Sequence, residues 1–280
     1  MTRVASPADT PANYDDEKPN HMIFWLDPAI ANPAEYQHLK KAFGSNTDPR
    51  CETWTMLTDK DYDNLVVSDI PRTIEFEGVI FLLQAFTDEE TCLEAFEKNQ
   101  DKRIFFITSG LMGEKIVPKV VERYRHIFTD LITDEPYLSI YIFCHNTRYH
   151  GNWATKYADY VLIFDFDSDL LQRMTRDISI YFRERGERMP KDNNIEGALK
   201  HLHWAKRLWY QYEKIKQQLE TDAPQVVLET RQSREINELI KNIEAMLPKE
   251  SSSKDYYSND HNRDDDRDDE MDTRPSEPCD

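Results

Sequence analysis

Short apolar runs alternate with stretches of helical spacing along most of the chain. Ile23-Phe24-Trp25-Leu26 is the first run, and it stops at Asp27-Pro28. Val79 to Phe86, Ile104 to Ile107, Leu138 to Cys144 and Val161 to Phe166 are four more. Apolar runs without polar alternation are what strands buried on both faces look like. The segments between them carry helical signals. Tyr36, Leu39 and Phe43 share one helical face. Thr87 and Asp88 stand where caps stand, ahead of Cys92, Leu93 and Phe96. Ile116 to Ile132 predicts a helix with Pro118 in its first turn, where a missing N–H costs little. Asn152 to Tyr157 predicts a short helix. Ser168 is placed to cap a helix carrying Leu170, Leu171, Met174, Ile178 and Phe182.

Strands separated by helices imply βαβ crossovers and a sheet covered on both faces. The expectation is an α/β fold: a doubly wound, mainly parallel, five-stranded flavodoxin-like sheet in the order 2-1-3-4-5. Two further helices follow it. Leu199, Leu202, Trp204, Leu208 and Ile215 mark the first, from about Ile195 to Leu219. Ile236, Leu239, Ile240, Ile243 and Met246 mark the second, from about Glu229 to Leu247. Pro224 separates them, so they read as a helical hairpin, packed on the sheet or offered to a partner. The expected organisation is a disordered leader over 1–20, the α/β domain over 21–188, the hairpin over 189–250 and a disordered acidic tail over 251–280. Residues 44–78 read as a long insertion, with weak strand patterning around Trp54 to Leu57.

Composition narrows the class. The 280 residues carry 35 Lys+Arg against 53 Asp+Glu, a formal charge of −18. The tail alone holds eleven acids and four bases. Such a balance argues against nucleic-acid binding, which needs a basic surface to displace phosphate counterions. The four cysteines, Cys51, Cys92, Cys144 and Cys279, form no CxxC pair and read as free thiols of a reducing, cytoplasmic setting. The polar N-terminus lacks a signal-peptide pattern, and no apolar run reaches the roughly 20 residues of a membrane span.

In an open doubly wound sheet, ligands bind beyond the carboxyl ends of the strands, near the switch in strand order. The candidate ligand site is therefore Asp27 after strand one, Thr108, Ser109 and Gly110 after strand three, and Cys144 and His145 after strand four. Asp27 suits a metal, a ribose hydroxyl or the capping of its own turn. Thr108-Ser109-Gly110 suits a phosphate at the following helix, or ordinary turn chemistry. No Walker-type or GxGxxG loop occurs. Cys144, His145 and His150 lack the tight spacing of a zinc site, and neighbours at a strand end point to opposite faces. No metal and no cofactor is expected.

Two resemblances join this reading. Ala85-Phe86-Thr87-Asp88-Glu89-Glu90 through Leu93-Glu94-Ala95-Phe96, running into Ile104-Phe105-Phe106-Ile107, resembles the second strand, second helix and third strand of response-regulator receiver domains. That family takes phosphate on an Asp ending strand three, where this chain has Thr108 and Ser109. The resemblance implies a pseudo-receiver without phosphotransfer. The second covers about residues 22–245. Ile23-Phe24-Trp25-Leu26-Asp27, Ile107-Thr108-Ser109-Gly110, Ile116-Val117-Pro118, Ile140-Tyr141-Ile142-Phe143-Cys144, Trp153-Ala154 and His203-Trp204-Ala205-Lys206 are similar to strings in one family. It is the N-terminal module of multidomain invertebrate proteins, best known from rotifers, that carry tetratricopeptide repeats or an arginine ADP-ribosyltransferase domain. This resemblance implies a regulatory or adaptor module.

The leading expectation is a non-enzymatic signalling adaptor that holds a protein partner through its C-terminal helices, its ligand edge or both. One alternative is a nucleotide-binding or NAD-processing domain. TIR domains share the flavodoxin-like plan, and some cleave NAD with a Glu in the helix after strand three. Glu114 and Glu122 are the candidates here. Another alternative is a dimerising scaffold.

Overall fold

The computed structural model describes residues 20–32, 35–43, 45–47, 54–56, 71–130, 132–220 and 230–247. The expected leader (apart from residue 20) and the acidic tail lie outside them. So do residues 44, 48–53 and 57–70 of the expected insertion, and Pro224.

β1 (His21–Leu26) is buried at every position and lies at the centre of the sheet. Its side chains alternate between two cores. Met22, Phe24 and Leu26 enter one, while Ile23 and Trp25 enter the other. β6 (Arg103–Ser109) does the same, with Ile104 and Phe106 on the first side and Phe105 and Ile107 on the second. Two buried faces explain why these strands read as unbroken apolar runs. β5 (Val79–Phe86), β7 (Ile140–Phe143) and β8 (Val161–Phe164) complete a parallel set in the order β5-β1-β6-β7-β8.

The sheet is larger than the five strands expected. β4 (Arg72–Phe76) pairs antiparallel with β5 through a tight turn at Glu77 and Gly78. Both turn residues have positive φ, 50° and 80°, as a two-residue primed hairpin turn requires. Two three-residue strands, β2 (Ser45–Thr47) and β3 (Trp54–Met56), extend that edge. The segment read as an insertion thus supplies the antiparallel end of the sheet.

Helices cover both faces. α1 (Gln37–Ala42), α5 (Asp167–Arg188), α6 (Ile195–Glu220) and α7 (Arg231–Glu244) belong to the Ile23 side. α2 (Glu89–Lys98), α3 (Gly110–Arg123) and α4 (Thr147–Ala154) belong to the Met22 side. Asp88 caps α2, its carboxylate accepting from the Thr91 N–H at 3.0 Å. Three helical expectations are corrected. α3 begins at Gly110 and ends at Arg123, so Pro118 lies in its interior rather than its first turn. α4 starts at Thr147, with the Asn146 side chain accepting from the Tyr149 N–H at 3.0 Å. α5 is entered from Phe166 rather than Ser168, and the Asp167 carboxylate accepts the Ser168 N–H.

α5 and α6 approach closely at Gly186. A methyl group there would lie 2.8 Å from Leu202 Cγ and 3.0 Å from the Ala198 carbonyl oxygen. α7 lays Ile236, Ile240 and Ile243 into the Ile23-side core, on which α6 also packs. The apolar stripe of α7 is therefore covered within the chain. Burying each isoleucine contributes about 1.5–3 kcal/mol.

Candidate functional site

Strand register assembles the carboxyl edge. Leu26 stands opposite Thr108, and Ser109 opposite Phe143, so the residues ending β1, β6 and β7 meet at one rim. Asp27 follows β1 and is 4% exposed. Its carboxylate accepts the Tyr36 hydroxyl at 2.6 Å and the Ala29 N–H at 2.7 Å. Tyr36 reaches it from the loop before α1, in a left-handed backbone conformation with φ 55°. Its ring also packs edge-on against Trp25 and Phe143. Burial raises the Asp27 pKa and the Glu35 charge adds to that, while Tyr36, the Ala29 N–H and Ser109 pull it down. Burial, and the Asp27 carboxylate it donates to, push the Tyr36 phenol up. Asp27 is thus tied to its own turn and to Tyr36.

Thr108 is wholly buried, and Ser109 is half-buried at the start of α3 without capping it. Gly110 opens α3, where a phosphate-binding reading puts the ligand. The imidazole of His150 packs against this glycine, on the side from which a Cβ would project. A Cβ added to Gly110 would lie 2.4 Å from His150 Nε2. His150 is buried, and its Nδ1 accepts the indole N–H of Trp153 at 3.2 Å. That bond leaves Nε2, on the Gly110 side, as the nitrogen that carries hydrogen. Trp153 in turn packs 3.3 Å from where a Gly113 side chain would begin. Helix α4 therefore packs a histidine and a tryptophan on the Gly110–Gly113 face of α3.

Cys144 is half-buried beyond β7, while His145 beside it is exposed. Burial raises the Cys144 thiol, Asp165 adds to this, and the Asn146 N–H opposes it. A thiol held protonated is a weak nucleophile. Glu114 and Glu122 are both exposed on α3, so neither is enclosed in the crevice. The structure thus brings Asp27, Ser109 and Gly110 to one rim, with Thr108 beneath it. It leaves His145, Glu114 and Glu122 in solvent. Among the described residues no group of three or more His, Cys, Asp or Glu side chains is placed to hold a metal.

Sequence reading missed two members of the rim. Tyr36 was legible only as a helix-face residue, because its bond to Asp27 depends on the loop between them. His150 was visible as a histidine near Cys144, but its contact with Gly110 depends on how α4 lies across α3. Three large apolar side chains on the elements that follow β6, β7 and β8 remain exposed: Leu111 at 67%, Tyr149 at 54% and Phe166 at 63%. Leu111 follows Gly110, Tyr149 stacks edge-on beside His150, and Phe166 lies two residues past β8.

Among the described residues, no helix is long and apolar enough to cross a membrane. Comparison of the chain with protein-family models, with curated proteins and with solved structures finds no match.

Proposed function

We propose that this chain is a signalling or adaptor module with a receiver-like, flavodoxin-like domain, acting through a protein contact at the carboxyl edge of its parallel strands. The observation that carries this is the set of large apolar side chains exposed near that edge. Leu111 at 67%, Tyr149 at 54% and Phe166 at 63% stand exposed, while His150 and Trp153 pack on the Gly110–Gly113 face of α3. A contact surface needs exposed apolar anchors, and aromatic side chains are enriched in such anchors. The net charge of −18 favours a partner with a basic rim, since complementary charge speeds encounter and fixes register.

The two resemblances give the same class: a pseudo-receiver, and a module of rotifer-type multidomain proteins. In this reading the contact surface moves from the C-terminal helices to the strand edge, because the stripe of α7 is already covered. The free thiols suit a reducing compartment such as the cytoplasm.

Thermal unfolding of the full chain with NAD, ADP-ribose, ATP and acetyl phosphate with Mg²⁺ separates this reading from a nucleotide site. The expected result is no shift that depends on the crevice. A rise in Tm with NAD or ADP-ribose that Gly110→Ala or Glu114→Gln removes would overturn the adaptor reading.

A further inference from the structure

The opposite, amino-terminal edge of the sheet holds a cavity of about 490 Å³. Arg103, the first residue of β6, lines it and is 8% exposed. Its guanidinium carbon lies 4.1 Å from the centre of the Tyr137 ring, 5.0 Å from Tyr181 and 5.5 Å from Phe105. One terminal nitrogen donates to the Ile127 carbonyl. The Nε–H is buried and has no hydrogen-bond partner among the described residues. No carboxylate lies within 4.0 Å of this guanidinium among the described residues. Burial lowers the Arg103 pKa, yet a guanidinium keeps its charge in proteins.

A buried charge is costly unless it is paired. The aromatic rings offset part of that cost through their negative faces. They provide no counter-charge. The two carboxylates that line the cavity are already engaged. Asp101 pairs with Lys102 at 3.0 Å. Asp130 pairs with Arg188 and accepts the Tyr137 hydroxyl at 2.6 Å and the N–H groups of Ile132 and Thr133. Burial pushes the Asp130 pKa up, but those bonds outweigh it and hold the carboxyl well below the usual carboxylate range. Asp130 therefore stays committed to Arg188. Arg185 also lines the cavity. It is exposed and has no ion pair within 4.0 Å among the described residues. Two arginines with no ion pair within 4.0 Å among the described residues thus border one cavity. Tyr181 and Met189 give it an apolar wall.

We propose that this cavity is a binding site for a small organic phosphate, its dianionic group seated between Arg103 and Arg185 and its apolar body against Tyr181 and Met189. Guanidinium forks match phosphate oxygens, and two cations match two charges. The volume falls within the roughly 300–1,000 Å³ of small-ligand sites. The site is independent of the contact surface at the other edge, and either can fail without the other.

The test is calorimetric titration and thermal unfolding of the full chain with phenyl phosphate, inorganic phosphate and benzoate. Phenyl phosphate at about 100 times its Kd should raise Tm by roughly 5–10 °C. Arg185→Gln changes an exposed side chain, so the fold should survive, and binding should weaken roughly tenfold. Arg103→Lys should weaken it further; because this variant alters a buried charge, Arg185→Gln decides the matter if it fails to fold. No binding by any probe would overturn the site. Binding unchanged in Arg185→Gln would do the same. Benzoate binding tighter than phenyl phosphate would overturn the assignment to a phosphate.

Discussion

Acidification should weaken this fold through His21. The imidazole is 3% exposed, and its Nε2–H donates to the Ile80 carbonyl at 2.7 Å. Phe81, Phe182 and Trp204 meet it edge-on, with ring centres 4.6, 4.9 and 5.2 Å away. Burial drives its pKa from 6.5 to about 3; the Ile80 bond opposes this, and His201, Arg185 and Lys200 add to it. The unfolded chain takes up a proton near the ordinary value, while the folded chain resists until far lower pH. Stability contributed by the neutral imidazole is therefore complete above the ordinary value and is lost as pH falls toward the folded one. Between those two values each pH step of one costs about 1.4 kcal/mol, so going from about pH 7.5 to about pH 5 should cost roughly 2 kcal/mol. Urea unfolding at both pH values, on the wild type and on His21→Gln, measures it. Gln keeps an N–H donor and does not titrate. The many carboxylates titrate in both proteins, so the difference isolates His21. The wild type should lose roughly 2 kcal/mol more than the variant. Equal losses would rule out a buried neutral imidazole.

Gly186→Ala should destabilise by about 1–3 kcal/mol in denaturant unfolding, because its methyl group would strike Leu202 and the Ala198 carbonyl between α5 and α6. Pro118→Ala should stabilise by about 1–3 kcal/mol in the same assay, because it restores an N–H to the interior of α3. Ile236→Ala should cost about 2–5 kcal/mol, and the native mass by light scattering should not change, because that side chain is buried within its own chain. A fall in mass would instead show that α7 pairs between copies.

The parallel strands were legible because burial on two faces removes polar residues from a run, as in β1 and β6. β4 was not. It alternates buried Ile74 and Phe76 with more exposed residues, and its turn places Glu77 in a left-handed conformation that glutamate rarely marks. The early start of α3 was hidden by Gly110 and Gly113, poor helix formers kept small by His150, Thr108 and Trp153. Asp27 and Ser109 were placed at the rim by strand endings alone. The packing of His150 on Gly110 was illegible, since it joins residues about 40 apart in the chain. Arg103 gave no signal either: at the start of a strand an arginine reads as a solvated flank, and only the packing of Tyr137 and Tyr181 buries it.

If the carboxyl edge is a contact surface, Leu111→Asp combined with Phe166→Asp should weaken the contact and spare the fold. Both positions are exposed and stand where α3 and α5 begin, so an acid favours the helix. The measurement is quantitative recovery of cross-linked partners by the wild type and by this double variant, followed by titration of the purified partner. Tm should stay unchanged while partner binding weakens at least tenfold, since each buried anchor contributes on the order of 1–2 kcal/mol or more. Undiminished binding by the folded double variant would place the contact elsewhere on the molecule and end the proposal for this edge.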